Sequence, residues 1–281
     1  MDLFLNINGE LVDADSPIVK VRNRSFRYGD GIFETLRIVN GQLQFFDRHY
    51  SRMITSMAAI KLDVPSSFTY EFVKSEVEKI AVRNNAVKGA RVRITIFRTD
   101  GGFYSPETNN FEYIIECNPM EENLFELNRK GYTIDIFLDY KKAMNRLLNI
   151  KTNNALLLVM AGIYCRQNNL DECIILNTNF SIAESVNSNI FAVKNGVLYT
   201  PPITEGCVDG VMRYQINEIA KKCKIAVYEV PLAMNVLLNS DEIFLTNAIN
   251  GLRWIAAYKA KLYLNSMSKF LTDKLNDSLV Q

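Results

Sequence analysis

Histidine is almost absent from this 281-residue chain, in which His49 is the only one. Multi-histidine metal centres are therefore excluded. A hydrolytic relay would hang on that single residue in the charged stretch DRHYSRM, and no serine lies in a nucleophile-elbow motif. The glycine signatures of nucleotide binding are missing as well, with neither a P-loop nor G-x-G-x-x-G. Five cysteines (117, 165, 173, 207 and 223) form no C-x-x-C pair and no closely spaced framework, which fits a reducing cytoplasm. Neither sign of charge dominates: 32 basic and 31 acidic residues leave a net charge of +1, which gives nucleic acid or an anionic membrane nothing to hold. The most apolar run, ALLLVMAGIYC (155–165), is too short to span a bilayer, and MDLFLNINGE lacks a basic leader region. These absences lead to the expectation of a cytoplasmic protein with small-molecule partners. Its chemistry should come from lysine, carboxylates or a bound cofactor.

What is present reads as α/β. LFLNI, IFETLRIV and QLQFF look like strands, the last two separated by an Asn40-Gly41 turn. FDRHYSRMITSMAAIKL has helical spacing, and Ser66 or Ser67 is a cap for FTYEFVKSEVEKIAVRNN. RVRITIFR and FEYIIEC return to period two. An α+β domain over 1–118, a turn-rich linker over 119–131 and a second α/β domain over 132–281 follow from the shift in composition. In the second domain TNNALLLVMAGIYCRQ and GVMRYQINEIAKKCK read as helices, the first rich in buried-looking residues. IFAVK and VLYT around Asn195-Gly196 read as a hairpin, with Glu184 just upstream of it.

Several residues invite chemistry, each with an ordinary alternative. Lys151 is a surface lysine near a helix start or a Schiff-base lysine. Glu184 is a solvated acid before a strand, or a buried one that needs a partner. Gly210 precedes a helix whose first amides, Val211 and Met212, could bind an anion, although many helices start after glycine. Arg52 is an exposed helix arginine or a phosphate ligand. RTDGGFYSP (98–106) is a plain turn or a mobile substrate-facing loop with Arg98 available for a carboxylate.

The order of these pieces resembles the class IV aminotransferase family, fold-type IV enzymes that use pyridoxal 5'-phosphate. The stretches that carry the resemblance are RYGDGIFETLR (27–37), DRHYSRM (47–53), IKTNN (150–154), AESVNSNIF (183–191), TEGCVDGVMR (204–213) and FLTNA (244–248). It implies an α+β first domain and a mixed-sheet, partly barrel-like second domain that hold the cofactor at their interface. It also implies a homodimer. Lys151 becomes the residue that links covalently to the cofactor and moves the proton at the substrate carbon. Glu184 becomes the acid paired with the pyridine nitrogen, and Arg52 the charged phosphate ligand. The amides of Val211 and Met212, with Asn247 and Ala248, complete the cradle, and Asn189 joins the cofactor-binding set. Phe33, Arg98, Tyr104 and Ala248 are implied on the side of an amino-acid-like substrate. Met212 stands where many relatives have threonine, so it offers only its backbone N–H, and phosphate affinity should rest more on Arg52 and Asn247.

Within the family, GVMR and the Gly-Gly-Phe-Tyr-Ser run after Arg98 look most like 4-amino-4-deoxychorismate lyases, which release pyruvate and 4-aminobenzoate in folate synthesis. Phe103 lies about where some lyases carry a further arginine. Glu34 occurs in lyases and transaminases alike. The alternative is a branched-chain or D-amino-acid aminotransferase, and outside the chemistry, an inactive binding homologue. Arg253-Trp254 lines the pocket or packs the dimer.

Overall fold

The computed structural model describes residues 3–120 and 124–279, so Glu121, Glu122 and Asn123 of the expected linker lie outside the described residues. The chain divides into two compact units, Met1–Leu124 with Ile150–Asn154, and Phe125–Asn149 with Ala155–Gln281. The expected boundary placed Lys151 in the second domain; its segment instead groups with the first unit, for a reason visible in backbone bonding below.

The first unit holds β1 (Phe4–Ile7), β2 (Glu10–Asp13), α1 (Arg24–Tyr28), β3 (Gly31–Val39), β4 (Gln42–Leu43), α2 (Phe46–Ala59), α3 (Tyr70–Arg83), β5 (Gly89–Arg98) and β6 (Phe111–Pro119). Its six strands form an antiparallel sheet in the order β2-β1-β6-β5-β3-β4. One face carries Ile32, Leu36, Ile38, Ile94 and Ile96 into a core closed by Met53 and Met57 of α2 and Val77 and Ile80 of α3. Asn40 and Gly41 both have positive φ, 49° and 80°, the geometry of a tight hairpin turn, and Ile38 pairs with Leu43 across it. The strand after that turn ends early: Phe45 turns left-handed at φ 55° and α2 begins at Phe46, so QLQFF is strand for two residues only. The cap of α3 is Thr69, whose hydroxyl accepts from the Phe72 N–H at 3.1 Å, rather than Ser66 or Ser67.

The second unit runs β7 (Tyr132–Lys142), α4 (Arg146–Asn149), α5 (Leu156–Gln167), β8 (Glu172–Asn177), β9 (Ser181–Ser185), β10 (Asn189–Lys194), β11 (Val197–Thr200), α6 (Val211–Lys222), β12 (Val227–Glu229), β13 (Leu232–Ala233), α7 (Val236–Asn239), β14 (Glu242–Asn247), β15 (Gly251–Tyr258), β16 (Lys261–Leu262) and α8 (Ser266–Asp277). Its strands form a curled mixed sheet in the order β12-β11-β10-β14-β15-β7-β8-β9-β13, with β16 on β15. Parallel pairs β15/β7 and β7/β8 sit among antiparallel ones. Ile134, Ile174, Ile190, Ile243 and Leu245 fill its concave core. The β10–β11 hairpin turns at Asn195 and Gly196, both with positive φ, as the sequence indicates. Two readings change. Glu184 lies inside β9, buried and paired to Ile175 of β8, not ahead of the sheet. The apolar α5 buries only Ala161 and Cys165, while Leu156 and Val159 are exposed. No helix among the described residues is long and apolar enough to cross a membrane.

Candidate active site

In the first unit the site is built on β3. The segment carrying Lys151 lies antiparallel to the start of that strand: Phe33 N–H donates to the Lys151 carbonyl at 2.8 Å, Asn153 N–H donates to the Gly31 carbonyl at 2.9 Å, and Thr152 bridges Ile32. Backbone bonding to β3 is what groups this segment with the first unit. The glycines of RYGDG make room for it, because a Cβ on Gly31 would meet Asn153 Nδ2 and the Ile96 carbonyl at 2.6 Å. Asn153 Nδ2 donates to Ser25 Oγ at 2.8 Å and fixes the segment from its other side. With its backbone held, Lys151 places Nζ 4.5 Å from the centroid of the Phe33 ring. The Arg93 guanidinium approaches that ring at 3.8 Å.

Glu34, the next residue of β3, points to the opposite face and meets α2. Its two oxygens accept from Arg52 Nε at 2.7 Å and Nη2 at 2.6 Å, and the second also accepts from His49 Nδ1 at 2.8 Å. Burial alone would raise this carboxyl, but Arg52 and His49 hold it down to about 2. Burial pushes His49 below its usual value against the pull of Glu34, so the ring is neutral with the proton on Nδ1. The lone histidine thus orients a carboxylate, which in turn orients Arg52. Neither role was legible from the sequence, where Glu34 carries no distinguishing neighbour.

Arg98 is a correction. It is buried, and it spends its guanidinium on Asp30 Oδ2 at 3.0 Å, Asn109 Oδ1 at 2.6 Å and the Ile60 carbonyl at 2.6 Å. Such a residue anchors the base of the glycine loop and is not available for a substrate carboxylate. The loop itself is tied rather than loose, since Arg24 donates to the carbonyls of Gly101 and Phe103 while sharing Asp30. Tyr104 at its tip is exposed, with its ring 5.4 Å from that of Tyr28.

In the second unit Glu184 is the centre. One oxygen pairs with Lys142 Nζ and the other accepts the Val208 N–H at 2.8 Å. Asn189 Nδ2 donates to the carbonyl of the same Val208 at 2.8 Å. The peptide groups on either side of Val208 are therefore pinned three residues before α6. That helix begins after Gly210 with no side-chain cap, so its first amides, at Val211 and Met212, are offered to an anion. Asn189 lies so close across Gly210 that a Cβ there would come within 1.9 Å of its Oδ1. Thr246, paired to Asn189 in the sheet, is buried with its hydroxyl unpartnered.

The Asn247 side chain shapes the turn before Ala248: its Nδ2 donates to Asn187 Oδ1 at 3.1 Å and Ser188 Oγ at 2.9 Å, and its Oδ1 accepts from the amides of Ile249 and Asn250. Glu172 steadies the neighbouring turn through Val186 N–H and Asn187 Nδ2, and burial lifts its carboxyl to about 7. Arg253 and Trp254 hold the segment entering the second unit: Arg253 donates to the Glu126 carbonyl, and Trp254 Nε1 to the Asn128 carbonyl at 2.8 Å.

In the second unit a buried, paired acid, an uncapped helix start and an orphaned hydroxyl suit an anionic pyridine ligand, and in the first unit Lys151 stands against an aromatic ring. No group of side chains among the described residues could hold a metal ion. The sequence profile of the amino-transferase class IV family matches residues 31–258. The chain belongs to that family. It is therefore an enzyme that works with pyridoxal 5'-phosphate, as an aminotransferase or a lyase. Over 275 residues it is 28% identical to a putative branched-chain-amino-acid aminotransferase of Methanocaldococcus jannaschii, covering 96% of this chain and 93% of that one. It is 26% identical over 257 residues to a D-alanine aminotransferase of Bacillus licheniformis, covering 85% and 83%. In fold it resembles the branched-chain aminotransferase of Thermoproteus uzoniensis, with a TM-score of 0.89 at 23% identity over 97% of this chain and 93% of that one. A putative 4-amino-4-deoxychorismate lyase of Legionella pneumophila is similar too, with a TM-score of 0.84 at 18% identity over 94% and 96%.

Proposed function

We propose that the protein is an amino-acid aminotransferase that moves an amino group from an amino acid to a 2-oxo acid, with Lys151 as its catalytic residue. The observation that carries this reading over the lyase expectation is the sequence likeness: the two sequence relatives named above, at 28% and 26% identity, are both aminotransferases. The glycine loop after Arg98, one of the lyase-like features, is tied to its own support and does not separate the reactions, since the substrates of both carry a carboxylate. The other lyase-like feature, Met212, does not separate the two, since a backbone N–H serves either enzyme.

The cofactor, when bound, supplies an aldehyde that condenses with amines and a ring that takes up the electrons freed at the substrate α-carbon. The protein's part is to bind, aim and move protons. Arg52, held flat against Glu34, brings a fixed positive charge for the phosphate, and the Val211 and Met212 amides add the helix N-terminus. Glu184 would hold the ring nitrogen as a hydrogen-bond acceptor, and Lys151 Nζ would hold the cofactor's aldehyde carbon and move a proton at the substrate α-carbon. Phe33 gives that amine an apolar wall. A soluble homodimer belongs to this proposal, and the exposed face of α5 with Leu156 and Val159 supports it.

The test is a paired assay. Purified, cofactor-loaded protein is given a panel of L- and D-amino acids with 2-oxoglutarate or pyruvate, and separately 4-amino-4-deoxychorismate. New amino acid and oxo acid in the first assay support the proposal, whereas pyruvate with 4-aminobenzoate from the second assay alone overturns it in favour of the lyase.

A further inference from the structure

Lys142 is the last residue of β7, and an irregularity in that strand decides where it points. β7 and β8 pair in register up to Phe137 and Ile175, and the next pair is Lys142 with Asn177, so four residues of β7 stand opposite one of β8. Leu138, Asp139 and Tyr140 bulge into solvent. The strand then returns, fixed by the Thr178 N–H on the Lys142 carbonyl at 3.1 Å, with the Lys142 side chain only 6% exposed. An ammonium turned inward by a bulge needs a partner, and among the described residues Glu184 is the one carboxylate within ion-pair distance.

The hydrogen-bond layout then fixes what Glu184 can be. An ammonium and an amide N–H are donors with no acceptor capacity. Lys142 meets one oxygen of Glu184 and the Val208 N–H meets the other. A proton placed on either oxygen would leave the buried Lys142 ammonium without its counter-charge. Both oxygens are therefore acceptors, and a third donor is the only kind of group the carboxylate still welcomes.

We infer that Lys142 is a positioning residue that keeps Glu184 an obligate hydrogen-bond acceptor, so that the acid receives a ring nitrogen already carrying its proton and never supplies that proton itself. This rests on the cofactor reading above, but its first consequence concerns the protein without cofactor. A buried ion pair is poor evidence of stabilisation, since an apolar pair of similar size often serves as well. The distinctive consequence is the charge on Glu184.

The experiment compares cofactor-free wild type, K142M, K142R and K142M/E184Q by infrared difference spectroscopy at neutral pH, with cofactor affinity measured on the same four proteins. Beyond the protonated-carboxyl stretch that Glu172 gives in all four proteins, K142M should show a second one that is absent from wild type and K142R and vanishes in K142M/E184Q. Its affinity for pyridoxal 5'-phosphate should fall about tenfold, and that of K142R should stay within about threefold of wild type. If K142M does not fold while K142M/E184Q does, the intolerable element is the lone acid, which supports the inference. A folded K142M without the second band overturns it, as does that band in K142R or failure of K142M and the double variant alike. Should the cofactor reading itself be mistaken, wild type will not bind pyridoxal 5'-phosphate, yet the second band in K142M will still appear.

Discussion

Glu34 grips Arg52 through both of its oxygens, at 2.7 and 2.6 Å, and shares one of those oxygens with the only histidine of the chain. A guanidinium on a helix has four flexible torsions to lose before it can serve a phosphate, and this fork removes most of that freedom in advance. E34Q should therefore weaken cofactor binding without touching the cofactor, and it should lower stability by about 3 kcal/mol, because Arg52 and His49 are left facing a neutral group. Equilibrium denaturation and cofactor titration on one preparation check both effects.

The same cluster predicts an acid limit. The carboxyl of Glu34 sits at about 2 in the folded protein against an ordinary 4.5. Its folded value is depressed, so its contribution is complete above about 4.5 and disappears as pH falls toward about 2. His49 is also depressed, and as a base it begins to cost stability once pH drops below its ordinary 6.5, where the unfolded chain takes up the proton first. Denaturation curves of wild type and E34Q should differ most near neutrality and converge near pH 2. A constant difference would contradict the assignment.

Arg98 is expected to behave as a support. R98A should destabilise the fold by about 3 kcal/mol, since Asp30 keeps only Arg24 while Asn109 and the Ile60 carbonyl lose their donor, and the Michaelis constant for the amino donor moves by no more than roughly threefold. A large rise in that constant at unchanged stability would return Arg98 to the substrate.

Much of the scaffold was legible because local chemistry dictated it. Asn40-Gly41 and Asn195-Gly196 supply the two positive φ values of a tight hairpin, and the spacing of Met53 and Met57 on α2 and of Val77 and Ile80 on α3 marks their buried faces. Readings went astray where distant residues decided the matter. Arg98 looks free until Asp30, Asn109 and the carbonyl of Ile60 arrive around it. Lys142 carried no local signal, because only the strand irregularity turns it inward. The apolar α5 shows the converse, since composition suggested burial that the fold of one chain does not provide.

Glu172 should make part of the stability depend on pH in the opposite sense to Glu34. Its carboxyl is lifted by burial to about 7 from 4.5, so the neutral form suits the fold, and the advantage fades as pH rises through about 7. E172Q, neutral at every pH, should gain on wild type between pH 5 and pH 8 by about 2–3 kcal/mol in denaturation experiments. No change in the difference over that range would remove the buried titration from the account.

Gly210 tests the helix start. Because a Cβ there would come within 1.9 Å of Asn189 Oδ1, G210A must push Asn189 off the Val208 carbonyl and tilt the first amides of α6. Cofactor affinity should fall about tenfold or more while the denaturation midpoint changes little. Unaltered affinity would mean that these amides do not hold the phosphate.

The central claim is that Lys151 bears the cofactor. It is tested most directly by borohydride reduction of the cofactor-loaded protein followed by peptide mass mapping. The account predicts a reduced pyridoxyl-phosphate adduct on the peptide containing Lys151 and no visible cofactor band or adduct in K151A; an adduct on another lysine, or one that persists in K151A, would contradict it.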